Sequence, residues 1–441
     1  MARQLFGTDG VRGRAGHFLT ADLALALART AVARLEAERP QVLIIRDTRE
    51  SGEMLESAIA AGVAAAGGDA LIAGILPTPA APLLIRRHGV DLAAVISASH
   101  NPYEDNGIKL FAADGFKLDD DTEHEIEAEL EAAAPPPAHI GRVRRFDGAH
   151  EDYLHALEER FSGLDLAGVR VLLDCANGAT FQTAPEIFRR LGATVDVIAD
   201  QPDGVNINRG CGSTHLDGVV KLVSSGEYDA VFAFDGDGDR VLAVDGKGAI
   251  VDGDELLALG AIHLRDRGRL PGNGVAVTVM TNYGFHQAMA EAGIEVATTS
   301  VGDRYVLDEL RRRGWAFGGE QSGHIIDLGF GPSGDGIASA LLTLEALGGR
   351  KLADRGAMEK LPQRLVNVRA ADRAGLAAAM ADPGVEEAVA REDEGLTGRG
   401  RVLVRASGTE PLIRVMVEAP SQRETDEVCE RLQRVVEAAL A

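Results

Sequence analysis

The stretch QVLIIRDTRESG, residues 41–52, decides the fold. A short apolar run, VLII, stops at a polar Arg-Asp-Thr-Arg turn. An Ala-rich pattern of helical period follows, then a second run, GGDALIAGI, at 67–75. The same order recurs twice: VRVLLDCANGATF (169–181) leads through a helix pattern to LGATVDVIAD (191–200), and VAVTVMTNYGF (275–285) leads to AGIEVATTSVGD (292–303). Strand patterns alternating with helix patterns predict parallel βαβ units. In each unit a further apolar run ends at a polar loop. DLAAVIS (91–97) runs into Ser99, YDAVFAF (228–234) into DGDGDR (235–240), and WAFGG (315–319) into EQSGH (320–324). Ligands of open α/β sheets sit beyond the carboxyl ends of the strands. Three such loops could therefore share one cleft.

Working outward, an acidic helix-like segment at 119–133 gives way to APPPAH (134–139), a connector composition. A helix pattern over 151–161 opens the second unit, and the third begins near Asp254. After RLVNVRA (364–370) the pattern changes to two strands, RVLVR (401–405) and LIRVMVEA (412–419), and a closing helix. Ser421 and Glu424 stand at capping-box spacing before that helix. The reading is three similar α/β domains with mixed, mainly parallel sheets at 1–150, 151–253 and 254–368. A smaller C-terminal α+β domain occupies 369–441.

The chain has 441 residues, beyond one ordinary core, with 45% apolar and 26% charged residues. No apolar run is long enough to span a bilayer, and MARQLFGTDGVRGR lacks the apolar core of a secretory signal. Three scattered cysteines, Cys175, Cys211 and Cys429, argue for a reducing compartment, the cytoplasm, and for packing roles. A net charge of −23 speaks against nucleic acid or anionic membrane as partner. An anionic substrate would then need local cations. Arg12, Arg46, Arg49, Lys109, Arg240, Arg405 and Arg414 do recur beside the glycine-rich stretches.

Asp235, Asp237 and Asp239 alternate with Gly236 and Gly238. In a regular strand these carboxylates would share one solvated face. Glycine permits positive φ, so the backbone can curl and bring them together. Converging carboxylates repel unless a cation is present, and an all-oxygen set favours Mg²⁺, Mn²⁺ or Ca²⁺ over zinc. An EF-hand is excluded, since Arg240 and Gly246 occupy the positions that need Gly and Glu. Ser99, in AVISASHNPYEDNGIKLF (94–111), could simply cap a turn. A hydrolase Ser99–His100 pair is disfavoured, because adjacent residues point apart in extended chain and no G-x-S-x-G elbow is present. A serine carrying phosphate would bear about −1.5 to −2 charge. Lys109 and a carboxylate-bound metal could answer that charge. Glu320, Ser322 and His324, on a loop pinned by glycines, match sugar hydroxyls. Arg405, Ser407, Gly408, Thr409 and Arg414 suit a phosphate dianion.

Taken jointly, ISASHNP, DGDGDR, GEQSGH and RASGTEPLIRV resemble, in order and over essentially the whole chain, the active-serine, metal, sugar and phosphate motifs of the α-D-phosphohexomutases. FGTDGVRG, GEQSGH, DNGIKLF and VGDRYV resemble the amino-sugar branch of that family. LIIRDTRES departs by Ile45 where a Gly is common, which implies a packing difference only. The resemblance implies a Ser99 that donates and regains phosphate, with Arg12, Lys109 and His100 around it. It implies Mg²⁺ on Asp235, Asp237, Asp239 and a Ser99 oxygen. Arg240, Glu320, Ser322, Gly323 and His324 would meet the sugar, and the 405–414 loop would hold the non-reacting phosphate. The implied reaction interconverts glucosamine 6-phosphate and glucosamine 1-phosphate through glucosamine 1,6-bisphosphate, in a chain for which a homodimer stays open. Three other readings stand beside it: a phosphomannomutase or phosphoglucomutase, a phosphatase with an aspartate nucleophile, and a sugar-phosphate sensor.

Overall fold

The computed structural model describes residues 5–7, 9–130, 137–223, 228–407 and 410–440. The chain divides into two compact units, Met1–Val279 with Ala297–Arg355, and Met280–Val296 with Gly356–Ala441.

The first unit carries three mixed sheets. In the seven-stranded sheet the order is Phe6–Gly7, Gly10–Arg14, Asp105–Ala112, Leu92–Ile96, Gln41–Arg46, Asp69–Ile75, Val143–Arg145. The strand Gln41–Arg46 runs parallel to both neighbours and is buried through Val42–Ile45. Such continuous apolar runs are what a sheet covered on both faces requires. At Ile44/Ile45 the register with Asp69–Ile75 shifts by a bulge, and this is where Ile45 departs from the family pattern. The five-stranded sheet orders Ile250–Val251, Val241–Val244, Ala230–Phe234, Arg170–Asp174 and Thr194–Ile198. The four-stranded sheet orders Glu295–Thr299, Gly274–Thr278, Phe317–Gly319 and Ile325–Asp327.

The three sheets repeat one device. A core strand parallel to its neighbour ends, a short loop turns, and the chain returns antiparallel to that same strand. Leu92–Ile96 returns as Asp105–Ala112, Ala230–Phe234 as Val241–Val244, and Phe317–Gly319 as Ile325–Asp327. Parallel pairing thus belongs to the strand–helix–strand cores and antiparallel pairing to the returns. The loops at these turns hold Ser99, Asp235–Arg240 and Glu320–His324.

In the second unit, Gln363–Arg369, Leu412–Glu418 and Arg401–Ala406 form an antiparallel three-stranded sheet. The helix Gln422–Leu440 packs its Val428, Cys429, Leu432 and Val436 into the core of this sheet. Ser421 Oγ accepts from the Glu424 N–H, the N-terminal cap that the spacing predicts. The strand Gln363–Arg369 begins six residues before 369, where the sequence reading opens the C-terminal domain, yet pairs along its length with Leu412–Glu418. Its half-exposed pattern carries no sequence mark of which sheet it joins. Glu418 is fully buried and accepts from Tyr283 N–H at 2.8 Å and Arg401 Nε at 2.8 Å, which ties the helix Tyr283–Glu291 to this sheet.

Candidate active site

Arg49 is a fully buried guanidinium that gives four of its five side-chain hydrogen bonds to the carbonyls of one turn. Nη2 donates to the carbonyls of Ser99 and Asn101, each at 2.9 Å. Nη1 donates to the carbonyls of Pro102 and of Asp105, the latter at 2.9 Å. Nε donates to Asp47 Oδ2 at 2.9 Å. Asp47 Oδ2 also accepts from Ser97 Oγ at 2.6 Å, and Ser97 Oγ accepts from the Ser99 N–H at 2.9 Å. From the loop that follows the strand Thr194–Ile198, Asn208 Nδ2 donates to the Ser99 and Asn101 carbonyls at 2.9 and 3.1 Å. The turn is over-determined, and it holds Ser99 at φ +51°. A non-glycine residue pays about 1–3 kcal/mol for such a conformation and keeps it only where its surroundings insist.

That φ corrects one sequence expectation. Ser99 and His100 do not point apart: Ser99 Oγ lies 3.3 Å from His100 Nδ1, because the chain here is not extended. His100 Nδ1 faces Arg240 Nη1 at 3.2 Å. Burial, with Arg240 and Arg12 nearby, holds its pKa below the usual value.

Ser99 Oγ donates to Asp235 Oδ2 at 2.5 Å. The serine of the first sheet thus meets the acidic loop of the second. Asp235, Asp237 and Asp239 are buried, and one carboxylate oxygen from each lies within 4.8 Å of the others. Of the two loop glycines, Gly238 has positive φ, at +73°. Gly236 serves instead by its missing side chain, since a Cβ there would sit 2.5 Å from the Ser99 carbonyl oxygen. Thr78 anchors the loop from outside: its Oγ1 donates to Asp237 Oδ2 at 2.7 Å and its N–H to the Asp237 carbonyl at 2.9 Å.

The residues fit a hard divalent cation. Asp237 Oδ1 and Asp239 Oδ1 are buried without a hydrogen-bond partner among the described residues, and buried acceptors seldom stay unpaired. Burial, then repulsion from Asp239 and Asp237, pushes the Asp235 carboxyl well above its ordinary range. Asp239 goes the other way: burial opposes its charge, but Lys109 and His324 hold it well below.

Lys109 Nζ is buried, 2.9 Å from Asp237 Oδ2, 3.1 Å from Asp9 Oδ2 and 3.6 Å from Asp239 Oδ2. Burial alone would lower its pKa, but these three carboxylates raise it above the usual lysine value. Arg12 pairs with Asp9. Lys117 Nζ lies 2.5 Å from Asp9 Oδ1 and 2.7 Å from Asp303 Oδ2. A cavity of about 410 Å³ opens here, its lining including Asp9, Arg12, Arg240, Asp303, Glu320 and His324.

The 320–324 loop of the third sheet is locked against the second. The Val241 N–H donates to the Gly323 carbonyl at 3.1 Å, and the Gly253 N–H to the Gln321 carbonyl at 3.0 Å. Gly323 has φ +91°, and a Cβ there would sit 2.1 Å from the Val241 carbonyl oxygen. Glu320 Oε1 accepts from the Gly302 N–H at 3.0 Å. His324 is buried, with Nδ1 3.7 Å from Asp239 Oδ2 and Nε2 3.7 Å from Asp303 Oδ2. Burial opposes its charge, and Asp239, Asp303 and Glu320 raise its pKa. Ser322 is exposed on the loop and does not join the cavity lining.

The structure therefore brings Ser99, His100, Lys109, Arg12, the three aspartates, Arg240, Glu320 and His324 together in the first unit. Sequence reasoning missed Asp9, Lys117, Asp303, Thr78 and Asn208, and named Arg49 without a role. Asp9 and Asp303 stood inside the quoted stretches FGTDGVRG and VGDRYV, which was the signal available. In the second unit, Arg405 and Arg414 are direct cross-strand partners. Two guanidiniums placed opposite each other are unfavourable without an anion, and neither has a carboxylate partner among the described residues. Ser407 stands at the end of that strand pair, its N–H donating to the Leu412 carbonyl at 2.9 Å. Gly408 and Thr409 lie outside the described residues.

Comparison with known proteins follows the same four segments. Family models of phosphoglucomutase/phosphomannomutase match in order: alpha/beta/alpha domain I at 3–136, domain II at 151–248, domain III at 252–364 and the C-terminal domain at 365–435. A phosphoglucosamine mutase of Moorella thermoacetica is 49% identical, over 98% of this chain and 99% of the relative. One of Rhodococcus erythropolis is 50% identical, over 97% and 98%. Among solved structures, a phosphoglucomutase/phosphomannomutase family protein from Burkholderia thailandensis superposes with TM-score 0.83 at 25% identity, covering 98% of this chain and 97% of that one. An Aspergillus fumigatus N-acetylphosphoglucosamine mutase, solved with GlcNAc-6P and magnesium, shares the fold at TM-score 0.64 and 18% identity, over 99% and 96%.

Proposed function

This chain belongs to the phosphoglucosamine mutase branch of the phosphoglucomutase/phosphomannomutase family, and on that premise we propose that it interconverts glucosamine 6-phosphate and glucosamine 1-phosphate through a phosphorylated Ser99. The observation that carries the reading is the 2.5 Å contact between Ser99 Oγ and Asp235, which joins the serine of one sheet to the acidic loop of another.

Phosphate on Ser99 passes to the free hydroxyl of the sugar: the bond from phosphorus to the serine oxygen breaks, one to the sugar oxygen forms, and the hydroxyl proton goes to a cleft-lining base. The product of this step is glucosamine 1,6-bisphosphate. After it turns round, its other phosphate returns to Ser99. A phosphoserine beside three aspartates gathers roughly −5 of formal charge, counting about −2 for the phosphate. Lys109, Arg12 and Arg240 answer part of that charge. Asp235, Asp237, Asp239 and an oxygen on Ser99 would hold Mg²⁺, which when bound supplies the remaining positive charge on the transferring group. Glu320 and His324 line the cavity where sugar hydroxyls would lie. Arg405 and Arg414, with Ser407, Gly408 and Thr409, would grip whichever phosphate is not reacting.

The reading takes the chain as four domains, 1–150, 151–253, 254–368 and 369–441. It sets the chain in a reducing compartment, the cytoplasm. Solution mass would decide between a monomer and the homodimer that the resemblance leaves open. No helix among the described residues is long and apolar enough to cross a membrane. The test is intact mass with mapping of phosphate to Ser99, then turnover of glucosamine, glucose and mannose phosphates. Phosphate on Ser99 and preference for the amino sugar are expected. Labelled phosphate on an aspartate, or no turnover with Mg²⁺ and a bisphosphate primer, would overturn the reading.

A further inference from the structure

Lys117 lies outside the motifs that define the site, yet two charged chains leave it towards the acidic loop. A tight return places it: the Ala112 N–H donates to the Phe116 carbonyl at 2.8 Å, and Phe111 bridges to Lys117. From there Nζ reaches Asp9 Oδ1 on one side and Asp303 Oδ2 on the other. Asp9 continues to Lys109, 3.1 Å away. Asp303 also approaches His324, lying 3.7 Å from Nε2, the nitrogen that accepts the Gly334 N–H at 3.1 Å. Lys109 and His324 then meet again at one carboxylate, Asp239, at 3.6 and 3.7 Å. Lys117, Asp9, Lys109, Asp239, His324 and Asp303 thus form a closed ring of titratable groups.

We propose that Lys117 is a positioning residue for phosphoryl transfer, fixing Lys109 through Asp9 and setting the Asp303 carboxylate that faces His324. This inference rests on the mutase reading above. Lys117 lines a neighbouring cavity of about 310 Å³ and is absent from the lining of the 410 Å³ cavity that holds Arg12, Arg240 and Glu320. It therefore stands behind Asp9 and Asp303, which do line the larger cavity. Burial opposes its charge, but Asp303 and Asp9 keep it an ammonium. Removing it would leave Asp303 with only the more distant His324 imidazole beside it in the ring. It would also leave Asp9 with Arg12 and Lys109 as its only described cations in the site, so that Asp9 draws Lys109 away from Asp237. Both shifts reach Asp239 from opposite sides. The neighbouring Arg304 closes the same junction, donating to the Leu118 carbonyl at 3.0 Å and pairing with Asp120. The backbone around Lys117 thus has support of its own, and loss of the ammonium need not unfold it.

The experiment is Lys117→Met in the full chain, with Lys117→Gln should Met fail to fold and Lys117→Arg as the rescue. The expected result is a fall in kcat of about 10- to 100-fold, the usual cost of losing an outer partner of a reacting group. KM should change by less than about two-fold, because no substrate contact is lost. Lys117→Arg should recover most of the rate, its fork reaching both carboxylates. A ¹⁵N NMR spectrum of the lysine ammonium groups supplies a readout apart from activity: the Lys109 signal should shift in Lys117→Met. An unchanged Lys109 signal, an unchanged kcat, or a rise in KM at constant kcat would each overturn the proposal. Wild-type chain that turns over no hexose phosphate would refute the mutase reading and with it the catalytic part of this proposal, while the Lys109 signal still judges the ring of titratable groups.

Discussion

Replacing Arg49 by lysine tests whether the serine turn is held by the fork of a guanidinium or by its charge alone. Arg49 makes five hydrogen bonds, to four carbonyls and one carboxylate. An ammonium has three donors, so at least two acceptors lose their partner. Each buried acceptor left unpaired costs about 1–3 kcal/mol, giving about 2–6 kcal/mol in all. Asn208 narrows that range. Its Nδ2 still serves the Ser99 and Asn101 carbonyls. If lysine keeps Asp47 and the Pro102 and Asp105 carbonyls, the loss falls at the low end, about 2 kcal/mol. In an Asn208→Ala background the same two carbonyls have no substitute, and the cost should rise towards the upper figure. Thermal or urea unfolding of the four variants gives the coupling directly. Turnover should drop further than stability, because the turn also holds Ser99 at its positive φ. Additive effects of the two substitutions, or an Arg49→Lys chain as stable and active as wild type, would refute the argument that this turn is locked by matched donors.

Ser99→Ala should abolish turnover while leaving the unfolding midpoint close to wild type, as phosphate mapping and calorimetry will show; near-normal rates in that variant would end the phosphoserine assignment. Asp237→Asn should remove the stabilisation conferred by Mg²⁺, about 2.7 kcal/mol at a metal concentration 100 times Kd, and a melting curve that still responds to Mg²⁺ would count against the metal loop. Arg414→Ala should raise KM for the phosphosugar far more than it lowers kcat, read from steady-state kinetics. Asp335 is buried, which pushes its pKa up to about 6. Because the folded chain then holds a proton that the unfolded chain has lost, stability should rise as pH falls from about 6 towards 4. Asp335→Asn keeps a cap at the helix Gly336–Leu347 and should flatten that slope.

The three βαβ cores were legible because their signal is local: a buried parallel strand writes itself as an unbroken apolar run, as in Val42–Ile45 and Ala230–Phe234. The three loops were legible for the same reason, since each follows directly from such a run. The strand Gln363–Arg369 shows the limit. Its partner lies some fifty residues downstream, and nothing in its own composition names that partner. Within the site, Asp235, Asp237 and Asp239 could be read together because three carboxylates fall within five residues. Asp9, Lys117 and Asp303 could not, because they meet only after two sheets are placed side by side. Gly236 taught a different lesson. The sequence suggests a glycine chosen for its backbone freedom, whereas the structure uses the space left by its absent side chain. Ser99 and His100 failed as an extended pair because tertiary contacts override local preference at the turn.

The grip of Asn208 on two carbonyls of the serine turn has a consequence for how this protein could be taken apart. Asn208 comes from the second sheet's segment, and the peptide oxygens it holds come from the first. A fragment ending at residue 150 would keep the reactive hydroxyl and every motif around it in sequence, yet lack one of the two hands that shape its backbone. The nucleophile's geometry is a joint possession of neighbours, so transplanting the serine segment alone into another scaffold would carry over its letters without its posture.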